Sequence, residues 1–150
     1  MLEVDIVVVA LSSPVLIGVY RDDELLEEIS SKEYVSEVLP LLFRDILKKY
    51  KIKRLFFAKG PGSFMSIKLV YVFLKTLSIT KDIELLATDA FYFNENAPIK
   101  ALKDRYFVKK EDKITIEKIS ANDVSFKLPK VLDTCKFSSD IKPLYILPAI

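Results

Sequence analysis

Histidine is absent from this sequence, and cysteine occurs once, at Cys135. Without histidine there is no Ser-His-Asp or Cys-His pair to activate a nucleophile, and no imidazole to complete a zinc site. Few ordinary enzymes lack the residue altogether, so its absence argues against catalysis. One thiol cannot close an internal disulfide or build a thiolate metal centre by itself, and Cys135 reads as a small, semi-buried residue. Long apolar runs are also missing: the longest, such as residues 6–11, fall far short of the roughly 20 residues that span a bilayer. The opening Met1-Leu2-Glu3-Val4-Asp5 has no basic stretch ahead of an apolar one, so no secretory signal is expected and the cytoplasm is the expected location. Nor does one sign of charge dominate. The 23 basic and 21 acidic residues leave a net charge of +2, too balanced to indicate nucleic-acid binding. The densest basic stretches, 48–54 and 100–113, read as solvated faces.

What is present is a globular balance, 51% hydrophobic and 29% charged, in a chain long enough to bury roughly 68–70% of its unfolded surface. The valine-rich run 4–11 predicts a central strand buried on both faces. Ser12-Ser13-Pro14 reads as a turn, 15–20 as a second strand and 24–30 as a third, joined at Arg21-Asp22-Asp23 into an antiparallel meander. Over 31–50 the residues Tyr34, Val35, Val38, Leu39, Leu42, Ile46 and Leu47 recur at helical spacing. Ser31 is the expected N-cap, and Lys48 and Lys49 suit the negative end. Pro40, inside that helix, removes a hydrogen bond and predicts a kink. A short strand over 54–59 leads through Gly60-Pro61-Gly62 into a helix capped by Ser63 and running to about Thr80, and 84–87 forms the next strand. This order is that of a ribonuclease-H-like or actin-like α/β lobe with a mixed sheet. Beyond Asp89 the pattern weakens: 91–98 reads as a loop, 105–109 and 113–118 as a hairpin, and 143–147 as a terminal strand. The expected organisation is an N-terminal lobe over 1–97 and a reduced C-terminal α/β lobe over 98–150.

Two features carry function. The segment Gly60-Pro61-Gly62-Ser63-Phe64 follows a buried strand and opens a helix. Its glycines permit unusual backbone angles, and such a loop sets N–H groups beside a positive helix end, where phosphate can be attracted. The Gly-Lys-Ser/Thr ending of a Walker A loop is missing. Two readings therefore stand: a structural turn, or a small nucleotide-binding protein or phosphate-loop enzyme using residues 60–63, with Asp5, Asp89 and Asp104 as candidate acids. Asp5 opens its strand and reads as structural, whereas Asp89 follows a strand and is expected to be exposed near the loop. The second feature is the following helix, apolar around most of its circumference, with only Lys68 and Lys75 marking a polar line. One face covers the sheet; the other needs either the C-terminal lobe or a partner helix. The candidate interface comprises Tyr34, Val38, Leu41 and Leu42 on the first helix and Met65, Leu69, Val72 and Phe73 on the second.

The stretch Gly60-Pro61-Gly62-Ser63-Phe64-Met65-Ser66-Ile67-Lys68 resembles the Gly-Pro-Gly-Ser-Phe-Thr-Gly-hydrophobic-Arg signature of the TsaB (YeaZ) family. Five positions match, and Met65, Ser66 and Lys68 replace Thr, Gly and Arg. Ser36-Glu37-Val38-Leu39-Pro40-Leu41-Leu42 is similar to the family's first helix. Leu86-Ala87-Thr88-Asp89-Ala90-Phe91 is similar to its post-strand switch, and Pro143-Leu144-Tyr145-Ile146-Leu147-Pro148 to its ending. Where members carry Ile-Asp-Thr-Ser, this chain has Val9-Ala10-Leu11-Ser12. Ala10 thus replaces the acid that would organise a metal and phosphates. The resemblance implies a divergent, shortened member acting as a non-catalytic scaffold in the bacterial machinery that makes threonylcarbamoyladenosine in tRNA. The implied partner on the two helices is a TsaD-type catalytic subunit, or a second copy in a homodimer. A TsaE-type ATPase is implied in the same complex, and contact with tRNA is indirect. ATP and metal are expected on the partner subunit, with no cofactor on this chain. A peptidase, a label that related folds have carried, finds no nucleophile–base pair here.

Overall fold

Residues 6–9 are all valine or isoleucine, so the strand that carries them presents apolar side chains to both faces and is stable only where both are covered. In the computed structural model, which describes residues 1–122 and 124–146, that strand is β1 (Leu2–Val9), the middle of a five-stranded sheet. β2 (Val15–Arg21) and β3 (Glu24–Ser31) continue the antiparallel meander on one side. β4 (Tyr50–Ala58) and β5 (Glu84–Thr88) lie parallel to β1 on the other. The order β3-β2-β1-β4-β5 is the mixed ribonuclease-H-like sheet that the sequence predicts.

The pleat splits β1 between two cores. Val4, Ile6 and Val8 face the layer formed by α1 (Val35–Lys49) and α2 (Phe64–Lys81), which contribute Val38, Leu39, Phe43, Val70 and Leu74. Val7 and Val9 face the other way, onto the chain that follows β5. That chain makes a one-turn 3-10 helix (Ala90–Phe93) and the antiparallel strands β6 (Ile99–Leu102), β7 (Arg105–Lys110) and β8 (Lys113–Lys118), then runs back with little regular structure. Phe91, Phe93, Ile99, Phe107, Leu128 and Phe137 pack onto the sheet, and Phe137 meets Phe56 edge-on at 4.8 Å between ring centres. Residues expected to form the reduced second lobe therefore supply part of the same core as β1.

The structure moves several expected boundaries. The first helix begins at Val35, not at Ser31; Ser31 ends β3 and its hydroxyl accepts from the Glu33 N–H. The basic stretch 48–54 is not simply a solvated face, because Tyr50 and Ile52 are buried and belong to the first half of β4. The expected loop 91–98 contains the 3-10 helix, and β6 was not foreseen. Residues 143–146 form no strand, and Leu147 of the expected terminal strand lies outside the described residues, as does Pro148. Cys135 is exposed rather than semi-buried.

Candidate docking face and the adjoining loop

α2 begins as it does because the chain leaves β4 through a loop whose backbone is committed to its surroundings. Gly60 adopts φ 122°, and a Cβ there would come within 2.9 Å of the Leu144 carbonyl oxygen. A Cβ on Gly62 would sit 3.0 Å from the Leu11 Cβ. The Ser63 N–H donates to the Leu11 carbonyl at 3.1 Å, and the Gly60 carbonyl accepts from the Ala90 N–H at 2.7 Å. Each glycine thus permits a close approach, one to the C-terminal stretch and one to the end of β1. Ser63 is the N-cap residue of α2, yet its side chain makes no capping hydrogen bond. Pro61 and Gly62 complete the turn, and Phe64, half exposed, packs its ring against that of Tyr145, tilted by 42° with 4.7 Å between ring centres.

The two helices lie side by side on one face of the sheet, and the C-terminal stretch covers mainly the opposite face. The outward side of α2 is consequently open: Met65, Val72 and Ile79 are 58%, 52% and 68% exposed. Between the helices runs a groove of about 380 Å³ lined by Val35, Leu39, Pro40, Leu69, Val72 and Phe73. Thr76, on the same wall, returns its hydroxyl to the Val72 carbonyl at 2.7 Å. Pro40 brings no N–H to the groove, so this wall offers carbon and few free donors.

The sequence-derived interface residues take different places. Leu69, Val72 and Phe73 line the groove, while Met65, Tyr34 and Leu41 are exposed on or beside the helices. Leu42 is half-buried, and Val38, 4% exposed, belongs to the core beneath α1. Val35, Leu39, Pro40 and Ile79 were missing from that set. The helical repeat carried the signal for Val35, Leu39 and Ile79, since they share the spacing of residues already chosen.

The candidate acids are engaged elsewhere. Asp5, buried, accepts from the Arg54 Nε at 3.1 Å and from its Nη2 at 2.7 Å, and this carboxylate holds the Arg54 guanidinium above its ordinary range. Asp89, contrary to expectation, is largely covered. It caps the 3-10 helix through the Phe91 N–H at 3.0 Å and pairs with the Lys109 Nζ at 2.6 Å. It lines a polar cleft of about 470 Å³ with Lys59, Lys109 and Cys135. Asp104 lies at the surface, 3.5 Å from the Lys118 Nζ. At the end of α1 the Tyr50 hydroxyl donates to Glu27 at 2.7 Å and lowers the pKa of that carboxyl, with Lys49 adding to the effect. Among the described residues no group of three or more Asp, Glu or Cys side chains is placed to hold a metal ion, and no helix is long and apolar enough to cross a membrane.

No protein-family model matches this chain, and no curated protein does. Solved structures do resemble it, two YeaZ-like proteins among them. YeaZ from Pseudomonas aeruginosa superposes with a TM-score of 0.61 at 12% identity, over 77% of this chain and 64% of that one. A protein described as uncharacterized, with similarity to peptidase YEAZ from Pseudomonas aeruginosa, superposes with a TM-score of 0.56 at 13% identity, again over 77% and 64% of the two chains. At such identity the likeness establishes a TsaB-like (YeaZ-like) fold, and this chain spans less than two thirds of either neighbour.

Proposed function

We propose, taking the TsaB-like fold as the premise, that this chain is a non-catalytic scaffold subunit whose α1–α2 face docks a TsaD-type catalytic subunit in threonylcarbamoyladenosine modification of tRNA. The observation that carries the proposal is the apolar groove between α1 and α2, continuous with the exposed Met65, Val72 and Ile79. A helix laid along that groove would bury this surface in the manner of a helix bundle. The occupant is a TsaD-type subunit because the signature at residues 60–68 resembles that of TsaB proteins, which pair through these helices. In this reading ATP and metal belong to the partner, a TsaE-type ATPase joins the same complex, and tRNA is reached through the assembly. The involvement of Asp5 and Asp89 in internal ion pairs favours docking over chemistry at the loop.

The test is co-purification with the TsaD-type subunit of the same cell, at low salt and with ATP present. Expected is a stable complex that is lost in Val72→Glu, a change at an exposed position that leaves the fold intact. Failure of the unaltered protein to bind that subunit sinks the reading. A homodimer in its place, seen by light scattering and broken by the same substitution, would assign the face to a second copy.

A further inference from the structure

We propose that Lys68 and Lys75 select the partner on the open side of α2: a helix whose apolar stripe is flanked by carboxylates two turns apart. The proposal rests on the docking reading above and names the kind of helix that fits. Along α2 the residues Met65, Leu69, Val72, Thr76 and Ile79 follow one another at alternating spacings of four and three, the pattern of a coiled-coil seam. Met65, Val72, Thr76 and Ile79 are exposed, and Leu69 is partly buried at the groove. Successive side chains turn by about 100° around a helix. Phe73 and Thr80 therefore fall on the flank toward α1, where they line the groove, and Lys68 and Lys75 fall on the opposite flank. The two lysines stand about 10.5 Å apart along the axis. The outer side of α1 carries Glu37, Arg44 and Lys48, charges of both signs, whereas α2 contains no acidic residue at all.

Charge complementarity chooses the occupant. A second copy laid antiparallel on α2, seam against seam, would set Lys68 of each copy opposite Lys75 of the other, so that like charges meet twice. A helix with glutamate or aspartate at the facing positions forms attractive pairs in the same two places. Exposed pairs of this kind add little affinity, but they discriminate between partners because like-charge contacts are penalised. Met65, Val72 and Ile79 supply the apolar surface to be buried, and the lysines decide which helix buries it.

The probe is a labelled peptide of about three heptads, with leucine at the seam positions and glutamate on both flanks, beside a counterpart with lysine on the flanks. Like charges keep each peptide from pairing with itself. Anisotropy reads binding as the full chain is added. Expected is saturable binding of the glutamate peptide, with the lysine peptide roughly tenfold weaker at low salt, because two contacts change from attraction to repulsion. The gap should narrow as salt rises. Lys68→Glu, at an exposed position, should abolish the preference, Lys68→Glu with Lys75→Glu should reverse it, and Val72→Glu should release both peptides. Glutamate is a good helix former, and circular dichroism checks that each variant keeps its fold. No saturable binding of the glutamate peptide overturns the proposal, as does equal affinity for the two peptides, an unchanged preference in Lys68→Glu, or a dimer of the parent chain that Val72→Glu breaks. Its failure and that of docking are distinguishable. A TsaD-type subunit that co-purifies while the peptides show no preference removes the charge selection alone. A glutamate preference without TsaD-type binding removes that subunit and keeps the charge selection.

Discussion

The hold of the irregular C-terminal stretch on the central sheet can be measured at Tyr20. Its side chain is 0% exposed, and its hydroxyl donates to the Pro129 carbonyl at 2.6 Å. Tyr20→Phe keeps the ring and removes the donor, leaving that carbonyl unpaired. The expected loss at neutral pH is about 1–1.5 kcal/mol, the upper part of the range for one net hydrogen bond. Alkaline pH supplies a second signature. Burial pushes the Tyr20 hydroxyl well above the usual tyrosine range, with Tyr92 and Glu28 reinforcing the shift. Above about pH 10, where an unperturbed tyrosine ionises, the unfolded chain releases this proton while the folded chain retains it. The folded state then binds more protons, so its stability falls as pH rises. For one such group the loss reaches about 1.4 kcal/mol at pH 11, close to the value of the hydrogen bond itself. The advantage of the parent over Tyr20→Phe should therefore shrink to near zero at that pH, because contributions common to both proteins cancel. Urea titrations followed by circular dichroism at neutral pH and at about pH 11 measure the difference. A gap that stays constant with pH would refute the burial-driven shift, and no gap at neutral pH would refute the hydrogen bond.

Arg54→Met is expected to cost roughly 3 kcal/mol, since it strands the buried Asp5 carboxylate; adding Asp5→Asn should recover part of that loss in the same denaturation assay. Gly60→Ala meets both a left-handed backbone and the Leu144 carbonyl, so a loss of roughly 2–3 kcal/mol is expected, with faster proteolytic cleavage near residue 144. Ser63→Ala should change the melting free energy by less than about 0.5 kcal/mol, below the ~1 kcal/mol usual for a capping serine, because this hydroxyl caps nothing. Asp89→Ala should cost about 1–2 kcal/mol through the lost cap of the 3-10 helix and the unpaired Lys109, and hydrogen exchange at Phe91 should quicken.

The legible parts of the fold were those where a local pattern had one interpretation. The valine run gave β1 its central place, and an apolar circumference made α2 a helix with more than the sheet to cover. The front half of β4 was hidden because Lys51 and Lys53 alternate with Tyr50 and Ile52. The lysines looked like a charged surface, whereas the period of two marks a strand with one buried face. β6 is short and follows Pro98, which weakens its strand signal. Tyr34 and Met65 were legible as surface candidates because each exceeds what a single helix stripe requires, but Val38 was not separable from them: its burial depends on how α1 is rotated against β1. Which face of α2 stays open follows from the chain after β5 crossing to the opposite side of the sheet, a long-range event that no helical repeat encodes. The resting places of Asp5 and Asp89 likewise depend on Arg54 and Lys109, distant in sequence.

The stretch after β8 touches both rims of the five-stranded sheet. Val131 pairs with Glu24 beside β3, and Ser138 pairs with Ala87 beside β5. A sheet rim with free N–H and C=O groups is a template for pairing with other chains, and here each rim is bridged at one position by residues made late in synthesis. Until residue 138 has left the ribosome, the nascent protein lacks at least one of these two bridges beside a very apolar sheet, and both depend on contacts distant in sequence, which are slow to form. The interval before closure is thus the period of greatest risk of misassembly.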